Sequence, residues 1–172
     1  ARDRFLAKNQ DLTKKDVKYF QTLHSLAFNN LGLKEENVMQ EGNYQAIGET
    51  CGIQIKYASY ETNNFNGIFS SSSEYLSLIN LARVRQVTAE QQFNRNEHLS
   101  WISKTKLIGI EKEINNYKSA HNLIDFTDMI QQFLDKGTTP KFKVIFVDEA
   151  QDLSLIQWAM IDKIERETEC DV

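Results

Sequence analysis

The ten residues Lys143–Asp152, KVIFVDEAQD, decide how the rest of the chain is read. Val144, Ile145, Phe146 and Val147 form an unbroken apolar block, and Asp148 and Glu149 follow it directly. A block that is β-branched or aromatic throughout predicts a strand at the centre of a parallel sheet, covered on both faces. Open α/β sheets bind ligands in the crevice beyond the carboxyl ends of their strands, and the two acids fall there. The expected fold class is therefore α/β, a parallel sheet with a mostly α-helical segment inserted into it.

An Asp at the end of such a strand can hold the Mg²⁺ of a nucleoside triphosphate, usually through water. The adjacent Glu can orient and activate the water that attacks the γ-phosphate. This is the Walker B arrangement. The plainer reading is an acid that caps the next turn, and it is the longer string, four apolar residues and then D-E-A-Q-D, that favours chemistry. The phosphate-cradling loop G-x-x-x-x-G-K-[ST] is absent: none of the seven glycines is followed by lysine. Lys136-Gly137-Thr138-Thr139 has its letters in the wrong order. These residues alone are expected not to hydrolyse ATP.

The bulk properties narrow the class. With 172 residues the chain suffices for one domain, or for one domain carrying an insert. A hydrophobic share of 41% and a charged share of 26% describe a soluble globular protein. No stretch approaches the roughly 18 apolar residues of a membrane span, and no signal peptide opens the chain. Cys51 and Cys170 are too few and too far apart for a disulfide framework and suggest reduced thiols in an intracellular protein. His24, His98 and His121 lack metal-ligand spacing, so no zinc site is expected. A net charge of -4 argues against coating nucleic acid by bulk charge but leaves room for a local basic track.

Along the chain, residues 1–8 read as the end of a helix and residues 17–22 as a short strand. A helix LHSLAFNNL follows, closed by Gly32. Residues 35–53 carry a weaker helical pattern interrupted by Gly42, Gly48 and Gly52, and residues 59–73 a polar loop. Ser73 is placed to cap a helix, and Thr88 caps a short one with Gln91 in the capping-box position. A long helix is expected over about 98–120, with Trp101, Ile102, Leu107, Ile110, Ile114 and Tyr117 on its apolar stripe. Asp125 opens another helix as N-cap, and Ser154 opens the last. Phe126, Met129, Ile130 and Phe133 read as core.

VDEAQD, residues 147–152, behind its apolar run resembles motif II of superfamily 1 helicases of the UvrD/Rep type. Three further stretches are similar to the family in the expected order. ARDRFLAK, residues 1–8, resembles the helical tail of the first DNA-contacting motif. FQTLHSLAF, residues 20–28, resembles the Thr-aromatic-His segment after it. LIDFTDMI, residues 123–130, resembles the helix found shortly before motif II. Residues 35–112 match only in length and helical character. Leu23 stands where the family more often has Phe, and Ala150 where Phe or Tyr is common; alanine there also occurs among phage members.

The resemblance implies a piece of the first RecA-like (P-loop NTPase) motor domain. Residues 1–34 would belong to the motor, 35–112 to the helical insert called 1B, and 113–172 to the motor again. Both ends of the chain read as cut. The Walker A loop is expected upstream of Ala1, motif III beyond Val172, and the arginine fingers in a second RecA-like domain.

On the same resemblance, ATP and Mg²⁺ are the cofactors, with Asp148 on the metal and Glu149 as catalytic base. Gln151 and Asp152 would link the nucleotide site to the DNA-contacting elements. Thr22 and His24 would lie close to single-stranded DNA, although a partly buried histidine at a helix start is the plainer reading of His24. In the insert, Arg83, Arg85, Arg95, Lys104 and Lys106 are candidates for DNA phosphates, against a solvated helix face for each. Trp101 is a candidate for base stacking, against core packing.

The parent would be an ATP-dependent DNA helicase or translocase, moving 3′ to 5′ on single-stranded DNA, acting in repair or replication in the cytoplasm of a bacterial or phage-infected cell. Its partners would be single-stranded and duplex DNA and the rest of its own chain, with no membrane. Two alternatives stand beside this: the helicase subunit of a RecB/AddA-like helicase-nuclease, and a non-catalytic interaction module, against which the intact Asp148-Glu149 pair argues.

Overall fold

The computed structural model describes residues 6–8, 11, 13, 15, 18–55, 73–96, 100–169 and 171–172. Within them the chain runs α1 (Leu23–Asn30), a 3-10 turn (Glu35–Asn37), α2 (Glu41–Cys51), α3 (Glu74–Val84), α4 (Ala89–Asn94), α5 (Lys104–His121) and α6 (Phe126–Lys136). A second 3-10 turn (Ala150–Asp152) and α7 (Leu155–Thr168) complete the order.

Local chemistry sets the helix ends. Thr22 caps α1 by accepting from the Ser25 amide at 3.1 Å. Thr88 and Gln91 form the reciprocal capping box at α4, with both bonds at 3.0 Å. At α7 the Gln157 side-chain oxygen accepts from both the amide and the hydroxyl of Ser154, each at 2.8 Å. The left-handed Gly32 and Gly52 follow α1 and α2, where a residue without Cβ turns the chain most easily. α5 starts at Lys104 behind the Ser103 cap, about six residues after the expected start near 98, and runs unbroken through residue 112 to His121.

The helices gather around two hydrophobic cores. The first holds Tyr44 and Ile47 of α2, Leu76 and Ile79 of α3, and Leu107, Ile110 and Ile114 of α5. The second holds Leu26 and Ala27 of α1, Met129, Ile130 and Phe133 of α6, and Ile156, Met160 and Ile164 of α7. Helix α3 serves both, because Val84 at its end belongs to the second core. Val38 and Ile124 form one parallel bridge that draws the start of α2 to the end of α5.

The expected RecA-like parallel sheet is not there. Among the described residues there is no strand and no sheet, only the bridge above and a second between Val144 and Asp171. The apolar block is not covered on both faces: Val144 is exposed and Phe146 is 93% exposed, while Ile145 packs against the second core. With Asp171 as its only bridge partner among the described residues, through Ile145 N–H to Asp171 O at 2.8 Å and Asp171 N–H to Lys143 O at 3.3 Å, the segment lays one face on the helices and turns the other outward. A run of β-branched residues reports a taste for extended backbone but not how many neighbours will pair with it. The strand expected over 17–22 is also absent where it is described, since Lys18 and Tyr19 form a turn; residue 17 lies outside the described residues, as do 1–5, 56–72, 97–99 and Cys170.

Candidate nucleotide and nucleic-acid site

The acids emerge from the outward-facing segment on a tight turn. Glu149 takes the left-handed conformation, at φ 52° and ψ 41°, which costs a non-glycine residue on the order of 1 kcal/mol. The reversal lets the Glu149 amide donate to Asp148 Oδ1 at 3.0 Å. The turn then closes through the Asp152 amide donating to the Glu149 carbonyl at 2.9 Å. The side-chain amide of Gln151 reaches back and donates to Glu149 Oε2 at 2.5 Å. Asp148, Glu149, Gln151 and Asp152 are all exposed. The four residues proposed for the nucleotide site thus share one turn, and Gln151 holds the carboxylate of Glu149.

No group of three or more metal-ligating side chains gathers among the described residues. The donor set still suits Mg²⁺, which keeps several waters and takes only one or two protein carboxylates beside substrate phosphates. Asp148 offers one carboxylate oxygen beyond that used by the Glu149 amide.

Thr22 and His24 stand at the start of α1. The Thr22 hydroxyl is occupied as the helix cap. His24 packs edge-on against Phe126, with ring centroids 5.5 Å apart. Burial pushes its imidazole down to about 4, although nearby Asp125 pulls the other way, so His24 is neutral at pH 7.

Behind Phe126 lies a four-member charge network that the sequence disclosed only in part. Arg83 donates from Nη1 to Asp125 Oδ2 at 2.6 Å and from Nη2 to Asp125 Oδ1 at 3.0 Å and Asp128 Oδ1 at 2.5 Å. Lys118 Nζ donates to Asp125 Oδ2 at 3.1 Å and Asp128 Oδ2 at 2.8 Å. The two carboxylates also form the α6 capping box, each accepting from the other's amide at 2.9 Å. Burial alone would raise the Asp125 pKa, yet the Arg83 and Lys118 cations hold its carboxyl well below the usual range. Burial likewise works against the Arg83 charge, and Asp125 and Asp128 outweigh it. Asp125 was legible as an N-cap; Lys118 and Asp128 were missed, and the Asp-x-x-Asp spacing at a helix start was the signal that could have found the latter.

The basic candidates therefore separate. Arg83 is turned inward and its guanidinium is taken up. The exposed Arg85 donates to Gln92 Oε1 at 3.3 Å. Lys104 pairs with Glu90 at 2.6 Å. The structure does not bring these cations to the Asp148–Asp152 turn. The family model described as the UvrD/REP helicase N-terminal domain matches residues 4–170. The chain belongs to this family.

No curated protein and no solved structure matches the chain. Among its described residues no helix is long and apolar enough to cross a membrane.

Proposed function

We propose that this chain supplies the Walker B half of an ATP-dependent DNA helicase or translocase, moving 3′ to 5′ on single-stranded DNA. The observation that carries the reading is the Asp148–Glu149 turn, with Gln151 bonded to Glu149, in a chain of the UvrD/Rep family. Asp148 would hold Mg²⁺, which when bound would supply positive charge against the phosphates of ATP. Glu149 would accept the proton of the water that attacks the γ-phosphorus, and the bond to the ADP oxygen would break. Gln151 fixes the direction of the accepting carboxylate. Thr22 and His24 at the head of α1 would lie close to the strand, with Arg85 and Lys104 reaching phosphates from the insert. We assign residues 35–112 to that insert and 1–34 and 113–172 to the motor.

Because these residues carry no phosphate-cradling loop, turnover is expected only where one is provided. The test is ATP hydrolysis by the full-length protein, with and without single-stranded DNA, beside its Glu149→Gln variant. DNA-stimulated turnover that falls about 10²- to 10⁴-fold in the variant while ATP binding persists supports the reading. DNA binding without ATPase, identical in both proteins, replaces it with the interaction-module reading.

A further inference from the structure

Trp101 does not join the apolar stripe of α5. It lies three residues before that helix begins and is 62% exposed, while its neighbour Ile102 is buried in the first core. The side chain is anchored all the same: its indole N–H donates to the Glu74 carboxylate in the first turn of α3. The next α3 residue, Tyr75, anchors the same stretch, its hydroxyl accepting from the Ser103 amide at 3.2 Å. Over the Tyr75 ring, at 5.6 Å from its centre, sits the Lys106 ammonium, which also donates to the Gly52 carbonyl at 3.4 Å.

Two consecutive residues of α3 thus hold one exposed aromatic, through Glu74, and one exposed cation, over the Tyr75 ring. Of the acids of this patch, Glu90 is paired with Lys104, and Glu74 accepts from the indole and keeps its charge at the indole edge, away from the ring face. Lys106 forms no ion pair among the described residues. Burying a pinned aromatic costs little side-chain entropy, and an open aromatic face beside an unneutralised cation is the chemistry that binds a base and its phosphate.

We propose that Trp101 and Lys106 form a single-nucleotide subsite for single-stranded nucleic acid on the helical insert, the base stacking on Trp101 and its phosphate meeting Lys106. The choice of nucleic acid as occupant rests on the DNA-motor reading above, but the test uses no nucleotide triphosphate, so a dead ATPase leaves it readable.

The chain has two tryptophans, so Trp158→Phe in the whole chain leaves Trp101 as sole reporter. Titration with an oligothymidylate should quench its emission to saturation, and an abasic oligomer of equal length should not. Trp101→Ala should raise the dissociation constant about 5- to 100-fold, and Trp101→Phe by less. Lys106→Gln should reduce the slope of log affinity on log salt by about 0.7. Circular dichroism on each variant separates lost binding from lost fold. Oligonucleotide affinity unmoved by Trp101→Ala overturns the proposal, as does equal quenching by the abasic strand. A protein partner that requires Trp101 while oligonucleotides do not bind also overturns it, and makes the patch a protein surface.

Discussion

Arg83 and Asp125 meet in a bidentate pair, 2.6 Å and 3.0 Å, between the last turn of α3 and the cap of α6. The pair joins the helix shared by both cores to the helix at the centre of the second. With Lys118 from α5 on the same carboxylate, three helices are tied at one point.

Removing one member leaves charge buried without its partner. Arg83→Met is expected to destabilise the chain by about 3–5 kcal/mol in urea denaturation. Adding Asp125→Leu should recover part of that loss and not all, because Asp125 also caps α6, a role worth about 1 kcal/mol. A double variant no more stable than Arg83→Met would show that the cap, and not the ion pair, is the larger contribution.

His24 gives a separate signal in pH. Its folded-state pKa of about 4 lies below the ordinary value of 6.5, so the unfolded chain takes up a proton first as pH falls. Stability should therefore be undiminished by this group above 6.5 and fall between 6.5 and about 4, by on the order of 2–3 kcal/mol. His24→Phe should flatten that limb in denaturation curves taken across the range. Asp125, whose carboxyl is held low, acts in a different window: its contribution is present above the usual carboxylate range and is lost only as pH falls below it.

Gln151→Ala should leave the fold intact and lower DNA-stimulated ATP turnover about tenfold, one hydrogen bond to a charged group being worth roughly that much. Glu149→Gln should cost more. Steady-state rates on the full-length protein decide the order, and equal losses would mean that Gln151 does more than orient its neighbour.

Two glycines should respond in opposite directions. A Cβ at Gly48 would lie 2.8 Å from the Ile53 carbonyl oxygen, so Gly48→Ala should cost about 1–3 kcal/mol. At Gly109, inside α5, nothing lies within 4 Å, and Gly109→Ala should stabilise by about 0.5–1 kcal/mol. Thermal melts of the two variants test both.

Helix content was the legible part of this fold. Thr88 with Gln91, Asp125 as a cap and the buried Met129, Ile130 and Phe133 follow from local chemistry and a 3.6-residue period, and they appear where expected. The sheet was misread because Val144 to Val147 look the same whether one face or two are covered. Core packing was favoured for Trp101 because it fell on the apolar stripe of a helix expected from about residue 98, yet the helix begins only at Lys104, and a period has meaning only inside its helix. Arg83 looked like a surface cation because its partners stand 42 and 45 residues away, a distance over which sequence pattern says nothing. The acids of the turn were legible by type, whereas the bond from Gln151 to Glu149 depends on a backbone reversal that no residue preference announces.

That reversal has a cost for the lineage as well as for the molecule. Glu149 occupies a conformation that glycine or asparagine would adopt with less strain. A mutant library selected only for heat resistance should drift toward Gly or Asn at this position, and one selected for turnover should hold Glu; the enrichment ratio between the two selections would measure how much foldedness the chain gives up to keep an acid there.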